Sequence, residues 1–90
     1  MTKIIEIYTT FTCPYCSRAK QLLQTKGAAY TEYDVTMDQA KRAEMAHRAP
    51  GARTVPQIFI GGVSIGGFDD MNALDKAGKL DPMLAELGLQ

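Results

Sequence analysis

The chain has no tryptophan, a single histidine and only two cysteines in 90 residues. It also lacks a charge excess, since ten Lys and Arg offset ten Asp and Glu. A nucleic-acid surface would need a basic surplus on some face, so that class of partner is not expected. No apolar run approaches the roughly 18 residues of a membrane span, so no membrane partner is expected either. Two cysteines and His47 cannot supply the four ligands of a structural zinc site, and no metal is expected; His47, beside Arg48, reads as a solvated surface residue. The opening Met1-Thr2-Lys3-Ile4-Ile5-Glu6 places charge inside its short apolar run and has no small-residue cleavage pattern. It reads as a first strand and not as a signal peptide, which makes the cytoplasm the expected location. The length suits one domain, residues 1–90, with a small core. The 46% hydrophobic content excludes wholesale disorder.

What is present falls into two halves. Lys3 to Tyr8 is β-branched and nearly continuous, as a central strand covered on both faces would be. From Pro14 to Lys26 the period becomes helical, with Ala19, Leu22 and Leu23 on one face and Gly27 as the stop. Tyr30 to Val35 reads as a second strand with Tyr33 and Val35 on one face. Thr36 and Gln39 form a capping-box pair, which predicts a helix that turns Met37, Ala40, Ala43 and Ala46 inward and ends before Pro50-Gly51. In the second half, Gln57–Ile60 and Val63–Ile65 flank Gly61-Gly62, the pattern of a tight hairpin. Asp69 or Asp70 then caps a helix carrying Met71, Leu74 and Ala77 and stopped by Gly78. Asp81 and Pro82 read as the cap and first residue of a last helix ending at Gly88. A βαβ unit followed by ββα predicts an α/β chain: a mixed sheet of four strands with helices on both faces.

The two cysteines stand as Cys13-Pro14-Tyr15-Cys16. A bridge across so short a loop would contribute only about 2 kcal/mol, so a structural staple is a poor use of the pair. In a reducing compartment such spacing points to catalysis or metal binding. Pro14 suits the first helical position, which sets Cys13 at the N-cap, where free backbone N–H groups and the helix dipole favour a thiolate. Cys16 follows one turn later on the same face, at a spacing that permits a bridge. Cys13 is therefore the expected attacker and Cys16, more enclosed, the expected resolver.

Taken together, Ile7-Tyr8-Thr9 before Cys13-Pro14-Tyr15-Cys16, then Thr54-Val55-Pro56-Gln57-Ile58-Phe59-Ile60, then Gly66-Gly67-Phe68-Asp69-Asp70 resemble the three motifs of the dithiol glutaredoxins, in order and along essentially the whole chain. The resemblance implies a thioredoxin-like fold and reduction of disulfide-bonded or glutathionylated proteins at the expense of glutathione, by a chain acting as a monomer. It implies a cis Val55–Pro56 bond, which by base rate only about 5% of such bonds adopt. A cis bond there would leave the Val55 N–H and C=O free beside the thiols, where an extended peptide could pair with them, and Thr54, Val55 and Pro56 belong to the implied glutathione site. Tyr15, Gly67, Asp69 and Asp70 complete the implied glutathione site: helix N–H groups hold the γ-glutamyl carboxylate and an Asp carboxylate holds the ammonium. Arg42 or Arg53 could meet the glycyl carboxylate. Thr10 departs from the family, many of whose members have Lys there, and this departure bears on thiolate stabilisation and glutathione affinity. Two other readings differ in chemistry. A relative reduced by thioredoxin reductase would carry Trp-Ser-Gly-Phe in place of the third motif, and this chain has no Trp. An iron–sulfur carrier would bind its cluster through Cys13 of two protomers, and Pro14 argues against it.

Overall fold

The computed structural model describes residues 4–50 and 54–87. The chain runs β1 (Ile5–Thr9), α1 (Pro14–Thr25), β2 (Thr31–Asp34), α2 (Gln39–Arg48), β3 (Gln57–Ile60), β4 (Val63–Gly66), α3 (Phe68–Lys76) and α4 (Leu80–Glu86). The sheet order is β2-β1-β3-β4. β1 lies parallel to β2, with Tyr8 opposite Tyr33, and antiparallel to β3, with Tyr8 opposite Gln57. β3 and β4 form the expected antiparallel hairpin. Its turn needs positive φ at two successive positions, and Gly61 and Gly62 adopt +60° and +85°.

Strand alternation divides the core in two. Ile5, Ile7, Ile58 and Ile60 point to one face and pack with Ala19 and Leu23 of α1, Met71 of α3 and Leu80 and Leu84 of α4. Tyr8 and Phe59 point to the other and pack with Val35, Met45 and Ala49. β1 is thus covered on both faces, as its near-continuous apolar run predicts. α1 and α3 end as expected. The N–H groups of Gly27 and Ala28 bond back to Gln24 and Leu23, and those of Gly78 and Lys79 to Asp75 and Leu74. These are the paired reverse bonds of a Schellman stop.

Several local expectations fail, each for a physical reason. α2 is capped by Asp38, whose Oδ1 accepts from the Lys41 N–H at 2.9 Å. Thr36 is drawn away from that role because its Oγ1 accepts from the Phe11 N–H at 2.7 Å. Met37, Ala40, Ala43 and Ala46 are exposed and do not face inward. A strict three-residue spacing drifts by about 60° per step around a helix, whereas Lys41, Met45, Arg48 and Ala49 hold one stripe and are the residues that α2 buries or half-buries. Gly67, not Asp69 or Asp70, is the N-cap of α3. Lys79, not Asp81, is the N-cap of α4, with Asp81 and Pro82 inside its first turn. Proline is tolerated there because first-turn N–H groups have no partner within the helix. Lys3, Arg53 and Gly88 lie outside the described residues.

The α2 side of the sheet holds a polar network under its aromatic cluster. Arg48 grips Glu6 with two nitrogens, at 2.8 and 3.0 Å, and donates to the Tyr8 hydroxyl at 2.9 Å. Tyr8 in turn donates to Glu44 at 2.6 Å, and Tyr33 donates to Glu6 at 2.9 Å. The Arg48 guanidinium sits 4.2 Å from the Phe59 ring centre, a planar cation on an aromatic face. Arg48 holds the Glu6 carboxyl below its ordinary value. Burial, and then the bond to Glu44, push the Tyr8 hydroxyl up to about 12.

A raised phenol value means that Tyr8 supports the fold fully below its ordinary value near 10 and loses that support as pH rises through about 12. Tyr8→Phe should cost about 1.5–3 kcal/mol at neutral pH, the range for a hydrogen bond to a charged group. It should also flatten the alkaline fall of the urea unfolding midpoint. An alkaline limb as steep as that of the unsubstituted chain would assign the loss to other groups.

Candidate active site

Cys13 is the N-cap of α1 and Pro14 is its first residue. The Cys13 sulfur occupies the place that a serine or aspartate oxygen usually takes in a cap. It accepts the Cys16 backbone N–H at 3.2 Å, and its thiol donates to the Val55 carbonyl at 3.7 Å. Cys13 is half-buried and Cys16 is 1% exposed, the asymmetry expected from the helix geometry. Burial, and next its contact with Cys13, push the Cys16 thiol up to about 12. A backbone hydrogen bond from Thr10 acts in the opposite direction on that thiol.

The Val55–Pro56 peptide is cis. Val55 is not left wholly free beside the thiols, because its carbonyl receives the Cys13 S–H. A groove of ≈ 370 Å³ opens here. Tyr15, Thr54, Val55, Pro56, Gly67, Asp69 and Asp70, all named by the sequence, line it together. Arg42 does not reach it; α2 packs on the far side of the sheet.

The third motif makes one wall. Gly66 has φ +108°, and a side chain there would collide with the Asp70 carboxylate. A Cβ on Gly67 would stand 3.4 Å from the Pro56 carbonyl oxygen, so the second and third motifs touch through backbone. Asp70, at the third position of α3, accepts the Gly67 N–H through Oδ2 at 3.0 Å. Glycine at the cap has no side chain to satisfy the first-turn N–H groups of α3, and these are the groups that could hold an anion.

Three further lining residues, Gln57, Gly66 and Phe68, belong to the quoted motifs but stand outside the expected site. The Phe68 ring centre lies 6.5 Å from that of Tyr15, so an aromatic from each motif borders the groove. Gln57 is buried, and its amide donates to the Thr54 carbonyl at 3.0 Å, which fixes the strand entry. A polar residue directly after the motif proline was the available signal for Gln57. Phe68 was legible as part of the third motif and through its N–H at the start of the helix, but nothing in the sequence assigned a role to its ring. His47 is exposed on α2, and among the described residues no three His, Cys, Asp or Glu side chains gather as a metal site would require.

The chemical content of this geometry is a sulfur pair one helical turn apart, with the outer sulfur beside an open groove and the inner one sealed. Comparison with known proteins agrees with it. The glutaredoxin family's model matches residues 5–65. Glutaredoxin 3 of Escherichia coli (strain K12) is 55% identical over 80 residues, which span 89% of this chain and 95% of that protein. A glutaredoxin of Pseudomonas aeruginosa is 53% identical over 81 residues, spanning 90% of this chain and 95% of the relative. Among solved structures, a buckwheat glutaredoxin–glutathione complex superposes with a TM-score of 0.86 at 37% identity, covering 97% of this chain and 81% of that one. The chain belongs to the glutaredoxin family.

Proposed function

We propose that this chain is a glutathione-dependent thiol–disulfide oxidoreductase in which Cys13 attacks and Cys16 resolves. The observation that carries the assignment is the Cys13 sulfur at the N-terminus of α1, 3.7 Å from the carbonyl oxygen of the groove-lining Val55, while Cys16 is sealed and held as a thiol. With a mixed disulfide of glutathione, the Cys13 thiolate attacks the glutathione sulfur, and the substrate sulfur leaves as a thiolate that takes up a proton. A second glutathione thiolate attacks the bridge to Cys13, releasing glutathione disulfide and restoring the enzyme. With a protein disulfide, Cys13 becomes tethered to the substrate. Cys16 then loses its proton to the departing sulfur and attacks Cys13, freeing the reduced protein and leaving a Cys13–Cys16 disulfide. Two glutathiones reduce that bridge, one by attack and one by resolving the mixed disulfide. Deglutathionylation and electron transfer to protein disulfides are thus two uses of one sulfur pair.

The glutathione in the buckwheat complex supports the same ligand here. In the present groove it would run along Val55, with its γ-glutamyl carboxylate at the first turn of α3 and its ammonium near Asp69 and Asp70. Both thiols and the groove come from one chain, which supports action as a monomer. Two thiols that must stay reduced suit the cytoplasm.

Steady-state rates of two variants on the two substrate types test the division of labour. Cys16→Ser should retain deglutathionylation and lose most protein-disulfide reduction, whereas Cys13→Ser should lose both. An active Cys13→Ser with Cys16→Ser dead on both substrates would reverse the assignment.

Asp69→Asn and Asp70→Asn should each raise the KM for glutathione by roughly tenfold, the worth of a hydrogen bond to a charged group. The amide at position 70 can still accept from Gly67, so the unfolding midpoint should hold. Unchanged KM in both variants would remove Asp69 and Asp70 from the docking scheme.

A further inference from the structure

On the other flank of Cys13 the structure carries a second, chemically different groove. It has a volume of ≈ 450 Å³ and is lined by Phe11, Asp34, Thr36, Met37 and Asp38. Phe11 is 83% exposed and Met37 is 93% exposed. Both side chains sit in water although neither the fold nor the groove described above uses them, and large apolar groups so placed together mark interaction surfaces. Methionine adapts to varied apolar partners. The groove is not a loose flap, because its two sides are tied. Phe11 N–H donates to Thr36 Oγ1 at 2.7 Å, and Thr36 N–H donates to Asp34 Oδ1 at 2.9 Å. Asp38 is fixed as the cap of α2. Among the described residues neither Asp34 nor Asp38 takes part in an ion pair.

We propose that this groove receives the protein part of the substrate: a segment with an apolar side chain and a Lys or Arg beside its reacting cysteine. The inference rests on the oxidoreductase reading above and names a substrate class for it. Two arguments choose the occupant. The first is continuity: Phe11 is two residues from Cys13, so their Cα atoms lie within about 7 Å, and a chain whose sulfur reaches Cys13 must cross one flank or the other. Glutathione fills the flank of Val55 and α3, which leaves the Phe11 flank for the polypeptide that carries the other sulfur. The second is charge: two carboxylates outside any ion pair among the described residues, with Lys20 acting on Asp34 only from beyond contact, rim an apolar floor, which matches a basic and apolar segment and discriminates against an acidic one.

The test uses the whole chain and three probes: a glutathione mixed disulfide of a small thiol, a glutathionylated peptide with Leu and Arg beside its cysteine, and the same peptide with Leu and Glu. The unsubstituted chain should prefer the basic peptide to the acidic one by roughly tenfold in kcat/KM, and added salt should shrink that preference. Phe11→Ser with Met37→Ser should lower kcat/KM for the basic peptide by about fivefold or more while leaving the small mixed disulfide unaffected. Asp34→Asn with Asp38→Asn keeps both hydrogen-bond acceptors and should abolish the preference for charge. Equal rates on both peptides, or a fall on the small substrate as large as that on the basic peptide, would overturn the proposal. A dimer in sedimentation that dissociates on Phe11→Ser would also overturn it and assign the groove to a second copy. An unsubstituted chain inactive on the small mixed disulfide would instead strike the oxidoreductase reading itself.

Discussion

The cap of α1 is a sulfur. Helices normally open on an oxygen that accepts a first-turn N–H, and such a cap contributes about 1 kcal/mol. Here Cys13 fills that position and accepts from Cys16, so the atom proposed to react is also the atom that starts the helix. Everything else in the site is arranged about this choice. β1, buried on both faces, brings the chain to the helix. Pro14 sets the first helical φ. The Val55 carbonyl meets the sulfur from the neighbouring loop. The same helical turn that exposes Cys13 buries Cys16, so two identical functional groups acquire different chemistry from a rotation of three residues.

The two faces of the sheet carry different burdens. The α1 and α3 face is a dry aliphatic core, and both thiol-bearing and groove-forming segments are anchored to it. The α2 face combines aromatic rings with a half-buried charge network centred on Arg48. Removing any single partner would leave another polar group poorly satisfied in a confined setting. The network joins β1, β2 and α2, three of the four elements that flank the Phe11–Thr36 link. It therefore holds the loop before Cys13 from below without touching a sulfur.

Much of this was legible in the residues. Cys13-Pro14-Tyr15-Cys16 specifies both cap and spacing, and Gly61-Gly62 specifies the hairpin, because few other arrangements satisfy their backbone requirements. The groove was legible only through three motifs read jointly, since their meeting depends on the sheet order. Helix starts were the weak point. Thr36, Asp69 and Asp81 are all competent caps, and none is used: a long-range bond recruits Thr36 to Phe11, and a local bond turns Asp70 back to Gly67. The inward face of α2 was misread because four apolar residues at three-residue intervals imitate a stripe, whereas the buried surface comes from Met45 and the long stems of Lys41 and Arg48. The Arg48 network joins residues up to 42 positions apart, and no local pattern encodes such a meeting.

A four-stranded open sheet leaves two rows of unpaired backbone groups, and such rows must be kept from pairing with those of another copy. On β2, Thr31, Glu32 and Asp34 are exposed, so an incoming strand would meet carboxylates. β4 is only four residues long and ends at Gly66 in a conformation that cannot continue a strand. The glycine that admits the Asp70 carboxylate to the groove wall therefore also cuts short the more apolar edge, giving one small residue a part in both recognition and resistance to aggregation.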